Sequence, residues 1–331
     1  MQVFFFNKSR VGLRVYLSAC CTEKKAVVWA PEYICSVLTD AVESSGFQIE
    51  YYSVDDHLQP FESDLQLKPG DILLLIKYFG MKTDVTKFRQ LCDLSKSSLV
   101  IDNAHGFPQD IFDLLQESAA DAILGSPRKI LAWPHGGTLW VNNSLVAQRV
   151  GAIASELAEI EYPRISSHFI NLAKNFFFLK RLIRNQKKIS TNYSHPLAMP
   201  EIYGAECRLS AYGKRSLTDA LLEKGLIQSR RESFMAWHKF VESAPGIRPV
   251  FNIIDIDNSP LAFPCWVENL YWRNFWIEWG VRYSFNVFSW PTLPKDNYES
   301  DSNATKLWNS IICFPIESGI NDYIPSEYYE A

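Results

Sequence analysis

Gly70-Asp71-Ile72-Leu73-Leu74-Leu75-Ile76 joins a turn to five uninterrupted apolar residues. A strand with one wet face alternates between apolar and polar residues. A run that is apolar at every position reads as a strand covered on both faces, as in a parallel sheet packed between helices. Similar short runs lie on either side: Ala26-Val27-Val28-Trp29-Ala30 closed by Pro31, the alternating Ile49 to Val54, Leu99-Val100-Ile101-Asp102, Ala122-Ile123-Leu124-Gly125 and Thr138-Leu139-Trp140-Val141. Between them, Cys35 to Ser45, Val85 to Ser95 and Ile111 to Glu117 carry helical spacing. Strands alternating with helices predict an α/β unit: a mostly parallel central sheet flanked by helices.

The chain has 331 residues, room for a second, smaller unit. After about Asn143 a long helical region follows, including Ile170 to Lys188. Its basic end (Lys180, Arg181, Arg184, Lys187, Lys188) reads as a solvated face or an anion contact. An amphipathic helix then runs from Arg230 to Phe240, followed by Pro264-Cys265-Trp266-Val267 and a helix from Leu270 to Trp279. We place a large domain over 1–228 and a small C-terminal α+β domain over 229–331. Trp272, Trp276 and Trp279 share one face of that helix and read as packing rather than ligand stacking.

Composition narrows the function classes. At 47% hydrophobic and 21% charged residues the chain is a folded protein, and its net charge of −4 gives no general attraction to nucleic acid. No apolar stretch approaches the ~20 residues that span a bilayer. The start, Met1 to Arg10, lacks the form of a signal peptide. Seven scattered cysteines without a CxxC pair read as buried free thiols of a cytoplasmic protein. Six isolated histidines give no metal-ligand spacing, and no GxGxxG or GxxxxGK[ST] element is present.

Ligands of open α/β sheets sit at the carboxyl ends of the strands, so the polar residues just past each apolar run carry the interest. Asp102 directly follows Leu-Val-Ile, where a carboxylate is costly unless a cation or hydrogen bond meets it. Lys129 stands past the next run, in a turn with Ser126. Alone, Asp102 reads as a helix cap and Lys129 as a surface lysine. Together with a hydroxyl they suggest pyridoxal phosphate. The lysine would take the aldehyde as an imine, the aspartate would hold the pyridine nitrogen protonated, and the hydroxyl would touch the phosphate.

Four segments also resemble the DegT/DnrJ/EryC1/StrS aminotransferases, a branch of the fold-type-I pyridoxal-phosphate enzymes. They are Val28 to Tyr33, Ile76-Lys77-Tyr78-Phe79-Gly80, Val100 to Gly106, and Ser126-Pro127-Arg128-Lys129 through His135-Gly136-Gly137-Thr138. The resemblance covers roughly residues 5 to 145, with a fainter echo in Arg230-Arg231, Phe263-Pro264, Gly280-Val281, Trp290-Pro291 and Phe314-Pro315-Ile316. It implies a fold-type-I aminotransferase with pyridoxal 5'-phosphate, moving an amino group from an amino acid, glutamate in the first instance, to a nucleotide-linked keto sugar. It implies Lys129 as the imine lysine and general base and Asp102 as the partner of the pyridine nitrogen. His105 would lie beside the ring hydroxyl, Ser126 on the phosphate, and Tyr33 or Cys35 near the ring face.

Relatives open the phosphate site with a Gly-Thr or Gly-Arg turn. Here Ser9-Arg10-Val11-Gly12 stands there, so Ser9 and Arg10 are the phosphate candidates. Relatives also lend an asparagine across a homodimer interface, for which Asn192 is the candidate. The high aromatic content, 10 Trp, 21 Phe and 15 Tyr, fits an interface core or a wide monomer core. Two other readings stay open: a non-sugar ketone as acceptor, and a member that has lost turnover and serves as a binding or regulatory protein.

Overall fold

The computed structural model describes residues 2–20, 26–81, 83–106, 120–131, 135–160, 205–221, 225–252, 260–299, 302–316 and 320–325. Strand β1 (Gln2–Phe6) runs into helix α1 (Ser9–Cys20). β2 (Val27–Pro31) leads to α2 (Ser36–Ser44) and β3 (Gln48–Tyr52). β4 (Ile72–Ile76) leads through the turn Tyr78–Gly80 to α3 (Val85–Ser95) and β5 (Ser98–Asn103). With β6 (Ala122–Gly125), β7 (Gly137–Val141), β8 (Ala158–Ile160) and β9 (Cys207–Leu209) these strands form one sheet, ordered β3-β2-β4-β5-β6-β7-β1-β9-β8.

β2 to β6 pair in parallel, with Ile72 opposite Ser98 and Ile76 opposite Asp102. Every residue of β4 is buried, as its unbroken apolar run requires. β7 departs from the pattern expected of Thr138 to Val141. It is antiparallel to both β6 and β1, because the link from Gly125 to Gly137 is too short for a crossover helix. The double reversal leaves β1 pointing the same way as β6. The carboxyl ends of β1, β2, β4, β5 and β6 therefore share one edge of the sheet, and β7 starts there.

Beyond this sheet, β10 (Ile247–Pro249), β11 (Ala262–Val267) and β12 (Ile311–Pro315) form a three-stranded antiparallel sheet. Helices Gly225–Val241, Leu270–Tyr283 and Asn303–Ser310 accompany it. Trp276 and Trp279 are buried on one face of their helix and join Trp237, Phe240 and Phe314, with the Trp237 and Phe314 rings 4.7 Å apart. One continuous apolar cluster reaches from Phe6 in the first sheet to Phe314 in the second.

The described cysteines are unbridged; Cys92, Cys207, Cys265 and Cys313 are buried, while Cys20 and Cys35 are half-buried. Among the described residues no helix is long and apolar enough to cross a membrane, and no cluster of His, Cys, Asp and Glu is arranged to hold a metal. Residues 111–117 and 170–188, and Asn192, lie outside the described residues.

Candidate active site

The shared strand edge collects the residues singled out above. Asp102 is the last but one residue of β5, where burial raises its pKa; the charge of Lys129 and the Ala104 N–H, 2.9 Å from Oδ1, pull the other way. Among the described residues, nothing donates to Oδ2. Lys129 follows β6, in the turn Pro127–Lys129 whose Lys129 N–H bonds the Ser126 carbonyl at 2.9 Å. Lys129 is exposed to solvent, yet the protein around it lowers its pKa. Desolvation is the main cause; the Asp102 charge opposes it, and Arg128 adds to it. Asp102 and Lys129 thus sense each other without a direct ion pair.

His105, 2% exposed, lies three residues past Asp102. Its Nδ1 accepts the Phe79 N–H at 3.2 Å, and its ring stands 4.5 Å from that of Trp290. Burial, then the positive charge of Lys129, hold its pKa well below the ordinary histidine value. The Phe79 bond and the lowered pKa both favour the neutral imidazole at His105.

The head of α1 is fixed from two sides. Asn7 bonds the backbone of Cys207 and the carbonyl of Ala205, and its own carbonyl accepts the Gly136 N–H at 3.0 Å. Gly136 has φ 151°, open to glycine. A Cβ on Gly137 would lie 2.3 Å from Lys8 C and Ser9 N, so glycine lets β7 meet the helix head. The hydroxyls of Ser9 and Thr138 are buried without a hydrogen-bond partner, and Ser126 is 2% exposed. Thr138 pairs with Phe5 and with Gly125, the residue before Ser126. Orphaned hydroxyls beside a helix N-terminus suit a phosphate dianion, which accepts from both hydroxyls and free backbone N–H groups. Among the described residues, the donors and charges present fit pyridoxal phosphate.

The remaining candidates sit apart from this cluster or turn away from it. Tyr33 is fully buried in the core: its hydroxyl donates to the Trp290 carbonyl, and its carbonyl accepts the Tyr78 hydroxyl at 2.8 Å. Cys35 is half-buried, and its Sγ lies 3.4 Å from Thr292 Oγ1. Arg10 lines a cavity of about 700 Å³ with Lys8, Arg14, Asp40 and Glu206, and neither Lys129 nor Asp102 borders it. Sequence reasoning missed Phe79 and Trp290 as neighbours of His105. Both lay in quoted segments, but nothing in their residue type announces a backbone donor or a covering ring.

No protein-family model matches the chain, and no curated protein matches it. Solved structures do. An aminotransferase, TlmJ, from Streptoalloteichus hindustanus superposes with TM-score 0.71 at 15% identity, over 98% of this chain and 83% of that one. A DegT DnrJ EryC1 StrS aminotransferase from Brucella abortus gives 0.63 at 12% identity, over 98% and 84%. NtdA from Bacillus subtilis, with bound cofactor PMP, gives 0.65 at 13% identity, over 98% and 70%. At these identities the likeness is one of fold, and the fold of this chain is that of the DegT-type aminotransferases.

Proposed function

We propose that the protein is a pyridoxal-phosphate-dependent aminotransferase acting on a keto sugar. The observation that carries the reading is that Asp102, in β5, and Lys129, in the turn after β6, come together at the carboxyl edge of the sheet, close enough for each charge to act on the other. Orphaned hydroxyls at the head of α1 and the fold shared with aminotransferases support it. When bound, the cofactor supplies an aldehyde that takes up an amine and a ring that draws off electrons. The lowered pKa of Lys129 keeps more of its amine neutral, ready first as a nucleophile and then as the base that carries a proton between two carbons. Asp102, with Oδ2 uncommitted, would hold the proton of a pyridine nitrogen. His105 would donate to an oxygen beside it, and Ser9, Ser126 and Thr138 would take the phosphate.

Glutamate as donor, a nucleotide-linked sugar as acceptor, the division near residue 228, and a cytoplasmic homodimer belong to the same proposal. Their support is the sequence resemblance and the free thiols. Lys129→Ala is the direct test. Wild-type protein incubated with pyridoxal phosphate should absorb in the visible and yield a borohydride-stable adduct at Lys129, bleaching with glutamate. Adduct formation at another lysine in the variant refutes the assignment. A wild-type adduct with no turnover on any ketone favours the binding-protein reading.

A further inference from the structure

Phe79 sits where its residue type is out of place. Its backbone is left-handed, φ 53° and ψ 16°, a conformation that residues with a side chain rarely adopt. The surroundings enforce it. The Phe79 N–H donates to His105 Nδ1 at 3.2 Å, and its carbonyl accepts the Leu261 N–H at 3.1 Å. The ring is fully buried, stacked on His105 at 5.8 Å and edge-on to Trp290 at 5.7 Å.

A histidine nitrogen that accepts an N–H bond carries no proton, so the proton of a neutral imidazole goes to the other nitrogen. Among the described residues, nothing accepts from Nε2 of His105, and its ring feels the charge of Lys129. We infer that Phe79 is a positioning residue: its strained peptide N–H fixes His105 as the neutral Nε2–H tautomer and so presents a donor toward the space bounded by Asp102 and Lys129. An imidazolium could not keep the Phe79 bond, because both its nitrogens are donors. The Leu261 contact anchors the next peptide, on the carboxyl side of Phe79, to the residue before β11, so the second sheet helps hold the residue in place. Only the kinetic part of this inference rests on the aminotransferase reading.

Long-range ¹H–¹⁵N spectra of the ¹⁵N-labelled holoenzyme, with His105 assigned by loss of its signals in His105→Gln, read the tautomer directly. The expected result is a bare Nδ1 and a protonated Nε2. Phe79→Gly, which holds the left-handed turn and keeps the N–H, should preserve that signature. Phe79→Val, whose branched side chain resists positive φ, should give mixed tautomers and lower kcat on the order of 10- to 100-fold with little change in KM. Should Phe79→Val fail to fold, His105 variants decide. A glutamine can accept from Phe79 and donate onward, so His105→Gln should exceed His105→Leu in kcat by about tenfold or more. A protonated Nδ1 in the wild type, an unaltered tautomer in Phe79→Val, or equal activity of the two His105 variants overturns the inference. A wild type with the expected tautomer and no transamination sinks only the functional reading.

Discussion

Lys129 and Asp102 displace each other's titration in opposite senses, and the signs can be tested. Asp102 raises the pKa that burial has lowered in Lys129. Asp102→Asn should therefore move the Lys129 midpoint to still lower pH, measured by the pH dependence of its reductive methylation in the cofactor-free protein. The stability sign follows from proton linkage. Burial raises the native Asp102 pKa above 3.8, so the native state binds the proton more tightly than the unfolded chain. Wild-type stability thus declines, as far as this group decides it, while pH climbs from the unfolded to the native pKa, and stays reduced above. Asp102→Asn lacks this loss, so its stability relative to wild type should grow between acid and neutral pH in urea titrations. Its turnover should collapse, because an amide cannot hold a proton on a pyridine nitrogen. Turnover equal to wild type would reduce Asp102 to a turn cap.

At the scale of elements, the junction of β7 with the head of α1 is the tightest on the edge. Gly137→Ala drives a methyl into the backbone of Lys8 and Ser9, which no rotamer change relieves. We expect a loss of about 1–3 kcal/mol and weaker cofactor binding, followed by thermal melts and a spectroscopic titration with pyridoxal phosphate. Gly151, inside the helix Ser144–Glu156, is the contrast: its nearest neighbour to a new Cβ is the Phe4 ring at 3.6 Å. Gly151→Ala should stabilise by about 0.5–1 kcal/mol.

The same elements show what the sequence could reveal. β4 was legible because burial on both faces demands five apolar residues in a row, and Asp102 because a carboxylate after such a run needs a reason. The direction of β7 was not: Thr138 to Val141 reads the same run either way, and only the length of the link decides. β8 and β9 are three residues each, too short for a periodicity. The left-handed Phe79 leaves no trace in a sequence, since its conformation is imposed by partners distant along the chain.

Across the whole molecule, one apolar cluster ties the two sheets together, and Trp237 lies at its second focus. Fully buried, it touches Phe240, Trp279, Phe285 and Phe314, and its indole N–H donates to the Pro315 carbonyl at 2.8 Å. Trp237→Ala should cost about 3–5 kcal/mol, read as a lowered denaturation midpoint. Because the cluster is unbroken, far-UV ellipticity and tryptophan fluorescence should move together through unfolding; separated transitions would mean that the sheets melt independently. The C-terminal segment also lies back on the first sheet: Thr292 accepts the Ser36 N–H at 2.8 Å, and Asn297 donates to the Glu32 carbonyl at 2.9 Å.

β1 precedes the other described strands along the chain, yet it sits inside the sheet, between β7 and β9. Its neighbours, Gly137 to Val141 on one side and Arg208 on the other, are synthesised long after it. The helix that β1 leads into carries the buried, unpartnered hydroxyl of Ser9. High contact order slows folding, because loop closure must precede the contacts that reward it. On the ribosome, Asp102 and Lys129 can stand on a growing parallel sheet while the end proposed to take the phosphate still waits for its slot. In refolding experiments, capture of inorganic phosphate should therefore lag behind the gain of helical signal. On that reading Ser9, though it precedes Asp102 and Lys129 along the chain, is set in place after them.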